Sequence, residues 1–221
     1  MRVQIYTMQG VDEALNVIKQ GVDHIGVTPS SIGLPGEVSF DAARSIVDAV
    51  KSRAVSVALS VETDLDAIME MVDTVRPDIL HLCGLQNTLD PEAVGRLRDQ
   101  LPGLAIMQAI SVEGPQALDI AKAYEPVVEY LLLDTQDPKI AGIGASGVTH
   151  DWSISREIVQ QIQIPVILAG GLSPENVAEA VKIVKPWGVD SLTHTNKKLA
   201  DGGFRKNIDR VGQFVRVARG L

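Results

Sequence analysis

Short apolar runs alternate with amphipathic segments from one end of the chain to the other. Several of these runs are near-continuous Val, Ile and Leu, which is the composition of parallel strands covered on both faces. Between them, apolar residues recur at the i, i+3, i+4 and i+7 positions of helices, as in residues 11–18. The predicted strands are 3–6, 24–27, 54–60, 79–83, 104–109, 130–134, 165–169 and 189–192.

Helix starts are marked by capping residues. The triplets Asp-Pro-Glu at 90–92 and Ser-Pro-Glu at 173–175 each predict an N-cap, a proline at the first helical position and an acid in the first turn. Ser39 predicts a further N-cap. The strand and helix signals therefore agree with each other along the chain.

Eight strand–helix units without a linker or a change in composition predict one domain over residues 1–221. Strict alternation indicates a parallel sheet, and eight units favour a closed (β/α)8 barrel over an open sheet of five or six strands. The runs 3–6 and 189–192 should then pair as neighbours. One connection, from Thr135 to Ser153, is unusually long and glycine-rich, and long loops that follow barrel strands lie on the active face.

Composition limits the function classes. Hydrophobic residues make up 45% and aromatic residues 4%, so the core must be built from aliphatic side chains. The net charge of −8 and the lack of clustered Lys and Arg argue against nucleic acid as a partner. Cys83 is the only cysteine, and no apolar stretch reaches about 18 residues or resembles a signal peptide. We therefore expect a cytoplasmic protein without a membrane partner; a homodimer remains open.

The loops after strands seven and eight are candidates for binding phosphate. Gly170 and Gly171 lead from a strand into a helix, where backbone N–H groups and the helix N-terminus favour an anion. Thr193 and Thr195 follow strand eight, whose loop shares this role in such barrels. The alternative for the glycine pair is a tight turn without a ligand.

Three polar residues at predicted strand ends are candidates for proton transfer. Asp134 follows three leucines, so partial burial should raise its pKa into a useful range; a loop-anchoring role is the alternative. His81 and His194 end strands four and eight, although either could be a structural histidine. Cys83 is expected to be a buried apolar residue, and no His or Cys spacing predicts a metal site.

Several motifs resemble the phosphoribosylanthranilate isomerase family, the tryptophan-pathway (β/α)8 barrels. They are LLLDT at 131–135, GASG at 144–147, Asp151-Trp152 and, most specifically, LAGGLSPENV at 168–177 followed by Gly188-Val189-Asp190. The resemblance is collinear over essentially the whole chain. It implies a catalytic aspartate at Asp134 and adds Ser146 and Gly147 to the residues expected to bind phosphate.

The departures from the family pattern concern the base and the substrate pocket. The family's general base is a cysteine, and Tyr6 stands at that position. The family also uses an arginine near strand two for the anthranilate carboxylate, whereas residues 28–38 hold no basic residue and include Glu37. We expect Glu37 to repel a carboxylate, which would make phosphoribosylanthranilate a poor substrate.

These features predict a sugar-phosphate isomerase of the aldose–ketose type that needs no metal or organic cofactor. Asp134 would protonate the substrate oxygen, and His81 or His194, facing it across the barrel mouth, would move the carbon-bound proton. A retro-aldol lyase or epimerase is an alternative, although no lysine at a strand end is available for a Schiff base. A catalytically silent barrel that binds a phosphometabolite, and a true phosphoribosylanthranilate isomerase with a substitute base, are the others.

Overall fold

Eight parallel strands pair in chain order, and the eighth hydrogen-bonds to the first, so the sheet closes into a barrel. The computed structural model describes residues 1–136, 141–200 and 202–221. The predicted (β/α)8 fold is confirmed, including the pairing of the first and last runs. The strands are β1 (Arg2–Ile5), β2 (His24–Val27), β3 (Val55–Ser60), β4 (Ile79–Leu82), β5 (Ala105–Ser111), β6 (Tyr130–Asp134), β7 (Val166–Leu168) and β8 (Gly188–Ser191).

One α-helix follows each barrel strand and covers the outside of the sheet. Ser39 and Asp90 accept hydrogen bonds from backbone N–H groups in the first turns of their helices, as predicted. None of the helices in the described part of the chain is long and apolar enough to cross a membrane. The helices are α1 (Val11–Ile18), α2 (Phe40–Val50), α3 (Leu65–Val75), α4 (Pro91–Gln100), α5 (Ala117–Tyr124), α6 (Trp152–Gln161), α7 (Val177–Val184) and α8 (Ile208–Ala218).

The alternation of side chains along each strand divides the core into two parts. Outward-facing residues such as Val3, Ile5 and Val189 pack against the helices in one large cluster. Inward-facing residues such as Val57, Met107 and Leu132 fill the barrel interior in a separate cluster. The barrel interior is therefore filled by side chains below its mouth at the carboxyl ends of the strands.

One local prediction needs correction, and one element was not predicted. Ser173 is not the N-cap of α7, because its carbonyl accepts from the N–H groups of Asn176 and Val177 in a separate turn, and Asn176 precedes the helix. The sequence analysis also missed a two-stranded hairpin between β8 and α8, formed by β9 (Asn196–Lys198) and β10 (Phe204–Lys206). Within the long connection after β6, residues 137–140 lie outside the described residues.

Asp23 ties together the two ends of the chain at the closed end of the barrel. Its carboxylate accepts from the Val3 N–H at 2.8 Å, from Arg2 at 2.9 Å and from Arg219 of the C-terminal segment at 2.7 Å. Burial acts to raise the pKa of Asp23, but these donors outweigh it and lower the pKa. The ionised carboxylate therefore stabilises the contact between β1 and the end of α8.

Replacing Asp23 by Asn should lower the free energy of unfolding at pH 7 by about 1–2 kcal/mol, because the charged acceptor is lost. Asp48→Asn is the control, since Asp48 is half-exposed and pairs only within α2; its effect should stay within about 0.5 kcal/mol. Urea denaturation measures both. The lowered pKa predicts that the wild-type advantage disappears as the pH falls below about 4. An equal effect of the two variants would contradict this role.

Candidate active site

The carboxyl ends of the strands open into two adjoining cavities. A larger one is lined mainly by residues of β1 to β4 and of the loop after β6, and a smaller one by the loops after β6, β7 and β8. Four residues line both cavities and so form their junction. They are Asp134, Ala145, Asp190 and Leu192.

Two carboxyl groups stand at this junction. Asp134 ends β6, as predicted, and burial raises its pKa to about 7 against the opposing hydrogen bond from the Thr135 N–H. Asp190 lies within β8, where burial and the charge of Asp134 raise its pKa to about 8. Gln4 and Lys206 act in the other direction. The pair therefore gains and loses its protons close to neutral pH.

Asp190 is a cavity-lining carboxyl that the sequence analysis did not include among its site candidates. It was noted only as part of a family motif, because a single aspartate inside an apolar run resembles a structural residue. The alternation of side chains along a strand could have identified it. Asp190 and Leu192 are two residues apart, so they face the same side, and both line the cavities. Its Oδ1 atom is buried and has no hydrogen-bond partner.

Tyr6, at the position of the family's cysteine, is buried beneath the larger cavity. Its hydroxyl lies 3.1 Å from Nδ1 of His81, and burial raises the Tyr6 pKa well above its ordinary value. The ring fits because β2 has Gly26 beside it, where an added Cβ would come within 2.3 Å of the ring. Tyr6 therefore fills space and holds a proton, and it is a poor proton acceptor.

The histidines have different surroundings. His81 lines the larger cavity with Asp134; burial lowers its pKa to about 3, and its buried Nε2 has no hydrogen-bond partner. His194 lines the smaller cavity, also with Asp134, and its Nε2 donates to the Gly147 carbonyl at 3.0 Å. Each histidine thus shares a cavity with Asp134, but neutral His81 is a weak base. The expected base role for either one stays a prediction.

Four of the six predicted phosphate-binding residues line the smaller cavity: Gly147, Gly170, Gly171 and Thr193. The side chain of Thr195 is buried and donates to the Leu192 carbonyl at 3.0 Å. Ser146 accepts from the Val148 N–H at 3.2 Å within its own loop. Neither of these two residues lines the smaller cavity, and the hydroxyl of each is hydrogen-bonded to a nearby backbone group.

The described part of the long loop after β6 covers the mouth. Ile143 and Cys83 exchange hydrogen bonds, with the Ile143 N–H donating to the Cys83 carbonyl and the Cys83 thiol donating back at 2.8 Å. Gly144 has φ +102°, and a Cβ there would lie 2.6 Å from Asp134 Oδ2. The loop backbone therefore packs directly on Asp134 and leaves this residue only partly exposed.

One smaller prediction about a side chain is confirmed. Cys83 is buried, which raises the pKa of its thiol far above the ordinary value, so it is an inert apolar residue. The His150-Asp151 pair serves loop structure: His150 bonds to Thr135 and Ser155, and Asp151 accepts from the Ser153 N–H at the start of α6. Among the residues that the structure describes, no group of three potential ligands could hold a metal ion.

Lys206, on the hairpin that the sequence analysis missed, is buried beside the end of β1. Its ammonium donates to the Tyr6 carbonyl and, at 2.6 Å, to Oδ1 of Asn196. Burial lowers its pKa to about 7. Lys206 therefore places a buried amine near the barrel strand ends; it does not line either cavity and anchors the hairpin to β1.

The position of Glu37 contradicts the expectation that it repels a substrate carboxylate directly. Its carboxylate is at the surface and accepts from the N–H groups of Gly33 and Leu34, both at 2.9 Å. These bonds lower the pKa of Glu37. The loop after β2 instead turns Leu34 and Pro35 toward the larger cavity.

The fold, with its cavities at the carboxyl ends of the strands, places the chain among the (β/α)8-barrel enzymes. The family model for N-(5′-phosphoribosyl)anthranilate isomerase matches residues 3–192. A relative of that name from Methanocella arvoryzae is 33% identical over 99% of this chain and 98% of its own length. The chain therefore belongs to the phosphoribosylanthranilate isomerase family, which confirms the predicted family and the isomerase class.

Solved structures support the same assignment. Phosphoribosylanthranilate isomerase from Thermotoga maritima superposes with a TM-score of 0.81 at 25% identity over the full length of both chains. Another isomerase, in complex with reduced 1-(o-carboxyphenylamino)-1-deoxyribulose 5-phosphate, has a TM-score of 0.79 at 23% identity over all of both chains. The second likeness establishes the fold.

Asp134→Asn should lower the pKa of Asp190, because the repulsion that raises it is removed. Carboxyl-carbon NMR titration measures this value in the folded protein. Glu113→Gln is the control, since Glu113 is exposed in the loop after β5 and does not line the cavities. An unchanged Asp190 pKa in the Asp134 variant would show that the two carboxyls do not interact.

Proposed function

We propose that the protein isomerises a phosphorylated aldosylamine to the corresponding aminoketose, with Asp134 as the acid and Asp190 as the base. The observation that carries this proposal is the carboxyl pair at the junction of the two cavities. A substrate with phosphate in the smaller cavity would present its sugar carbons to both carboxyls. The isomerase class of the family supplies the reaction type.

The reaction needs one proton given and one taken. Asp134 donates its proton to the ring oxygen as the bond from that oxygen to C1 breaks, which leaves an open-chain iminium. Asp190 then removes the proton from C2, and the electron pair forms the C1–C2 double bond of an enolamine while the iminium nitrogen becomes neutral. Return of a proton to C1 and loss of the hydroxyl proton give the ketone. The rearrangement as a whole is redox-neutral and uses no cofactor.

Asp190 is a better candidate for the base than the other polar residues. Its Oδ1 is unpartnered, whereas the hydroxyl of Tyr6 is occupied with His81 and has a raised pKa. His81, with a pKa lowered to about 3, is suited to hydrogen-bond the substrate through its free Nε2. Asp190 thus replaces the family's cysteine in function without occupying its position.

The smaller cavity is proposed to bind the phosphate. Gly170 and Gly171 both have positive φ, and an added Cβ at Gly171 would lie 2.7 Å from the backbone of Val148. Their lack of side chains brings the loops after β6 and β7 together around the cavity. With Gly147 and Thr193 they form a wall of backbone and a hydroxyl, which suits an anion. A cytoplasmic location and a homodimer remain predictions.

The rate constant kcat/KM should have a bell-shaped pH dependence with its maximum between about pH 7 and 8. Below this range both carboxyls hold protons and the base is lost; above it both are ionised and the acid is lost. Within it the pair holds one proton, and the reactive form is the minor one that carries this proton on Asp134, because Asp190 has the higher pKa. Asp190→Asn should reduce kcat/KM about 10²–10⁴-fold and remove the acidic limb, and Asp134→Asn should remove the alkaline limb. Ribose 5-phosphate condensed with simple amines provides the substrates, and deuterium incorporation at C1 in D2O reports turnover.

His81→Asn and His194→Asn are the matched variants for this experiment. Each replaces a cavity-lining side chain by a polar one and leaves both carboxyls in place. If either variant costs more activity than Asp190→Asn, the base is a histidine. If no phosphorylated aldosylamine is turned over, a silent phosphate-binding barrel becomes the better account.

Gly171→Asp should abolish binding of phosphorylated ligands, because it adds both a negative charge and a Cβ to the cavity wall. Gly171→Ala separates these effects, since it adds the Cβ alone, and circular dichroism checks that both variants fold. Calorimetric titration with ribose 5-phosphate measures the affinity. Unchanged affinity in a folded Gly171→Asp protein would place the phosphate site elsewhere.

A further inference from the structure

A row of polar side chains leads from the mouth of the barrel into its interior across three neighbouring strands. Gln4 on β1 is the register partner of Asp190 on β8 and of His24 on β2, and all three residues are buried. The residues that follow Gln4 and His24, Ile5 and Ile25, pack outward against the helices. Gln4 and His24 therefore face the barrel interior.

His24 holds the side-chain amide of Gln4. Nδ1 of His24 lies 3.1 Å from Oε1 of Gln4. Burial lowers the pKa of His24 to about 4, so the ring is neutral at pH 7 and donates to this oxygen when its proton is on Nδ1. Tyr130 and Trp187 contact the ring at centroid distances of 6.4 and 5.7 Å. Since Oε1 is engaged in this way, the two N–H groups on Nε2 of Gln4 are left for another acceptor.

The Gln4 amide and the Asp190 carboxyl each have a buried atom without a partner. Among the described residues, neither Nε2 of Gln4 nor Oδ1 of Asp190 has a hydrogen-bond partner, and the first is a donor while the second is an acceptor. The amide is nonetheless close enough that it acts to lower the pKa of Asp190. An N–H group is attracted more strongly by a carboxylate than by a carboxylic acid, so ionisation of Asp190 would close this contact.

We propose that Gln4 is a positioning residue for Asp190: held by His24, its side-chain amide donates an N–H group to the Asp190 carboxylate and stabilises the ionised form. This inference rests on the proposed function, in which Asp190 is the base. Asp190 can accept the proton from C2 only after it has lost its own, so the amide favours the reactive form of the carboxyl pair. Gln4 lines neither cavity and acts on the reaction only through Asp190.

The charged groups around Asp190 act on it differently from Gln4. Asp134 on β6 raises the pKa of Asp190 and Lys206 on β10 lowers it, both through their charge, whereas Gln4 acts as a donor. The other titratable side chains beside Asp190 are neutral at pH 7; they are Tyr6, His81 and Cys83. The charged groups that act on His24 are Arg2, Asp23 and Asp78.

Gln4→Met tests the proposal, because methionine fills a similar volume without an N–H group. The pKa of Asp190 should rise by about one pH unit in carboxyl-carbon NMR titration, and the alkaline limb of the kcat/KM profile should move upward with it. The maximum of kcat/KM should fall about tenfold, because fewer molecules then carry an ionised Asp190 beside a protonated Asp134.

Gln108→Met is the matched control. It makes the same exchange at a buried glutamine on β5 that lines neither cavity, and it should leave the pKa of Asp190 unchanged. If the Asp190 pKa in Gln4→Met equals that in the wild type, or if Gln108→Met raises it as much, the proposal is overturned.

A measurement on the wild-type protein does not depend on how well a variant folds. The side-chain amide protons of Gln4 should shift downfield in the NMR spectrum as Asp190 loses its proton, and this shift should disappear in Asp190→Asn. Amide signals that do not titrate, or that titrate equally in Asp190→Asn, would show that Gln4 does not donate to this carboxyl. Nitrogen-15 spectra should also show the neutral His24 ring protonated on Nδ1; a proton on Nε2 instead would contradict the orientation of the amide.

These measurements separate this inference from the proposed function, because the titrations need no substrate. If the Gln4 amide follows the ionisation of Asp190 but no phosphorylated aldosylamine is turned over, the isomerase proposal fails and the role of Gln4 stands. If substrates are turned over but the Asp190 pKa is the same in Gln4→Met, the role of Gln4 fails and the isomerase proposal stands.

Discussion

Closure of the barrel through the pairing of β1 with β8 is the constraint on which the rest of the molecule depends. The register sets Gln4 opposite Asp190, so the first and last strands of the barrel meet at the candidate base. The same closure brings Arg219 to Asp23 at one end of the barrel and Lys206 to the Tyr6 carbonyl at the other. Segments that are about 200 residues apart thus form the site together.

Burial of side chains at the open end of the barrel explains the shifted pKa values of the residues there. The interior below the mouth is packed with aliphatic side chains, and the loop after β6 covers the carboxyls from above. Little water remains to stabilise a negative charge, so Asp134 and Asp190 keep protons near neutral pH. A similar degree of burial has the opposite consequence for His81, which loses its ability to accept a proton.

The residues that this chain shares with the family and those that differ from it lie in different halves of the barrel. The half formed by β6, β7 and β8 holds the family's aspartate and the glycines of the smaller cavity. The half formed by β1 and β2 holds Tyr6 in place of the cysteine and an apolar loop around Leu34. Gly26 shows that the first change is structurally accommodated, because any side chain there would collide with the Tyr6 ring. The barrel thus allows one half of a site to change while the other is kept.

The sequence by itself determined the barrel, the order of its strands and the position of Asp134, because the strand and helix periodicities and the strand-end rule are local or topological. It also pointed to Gly170 and Gly171, since the loop between the seventh strand and its helix is where such barrels bind phosphate. Only the tertiary structure decided that Asp190 faces Asp134, that Glu37 turns away from the cavity and that Lys206 reaches β1. Those facts depend on which way a side chain points and on what a distant segment places beside it, and both are set by packing in three dimensions.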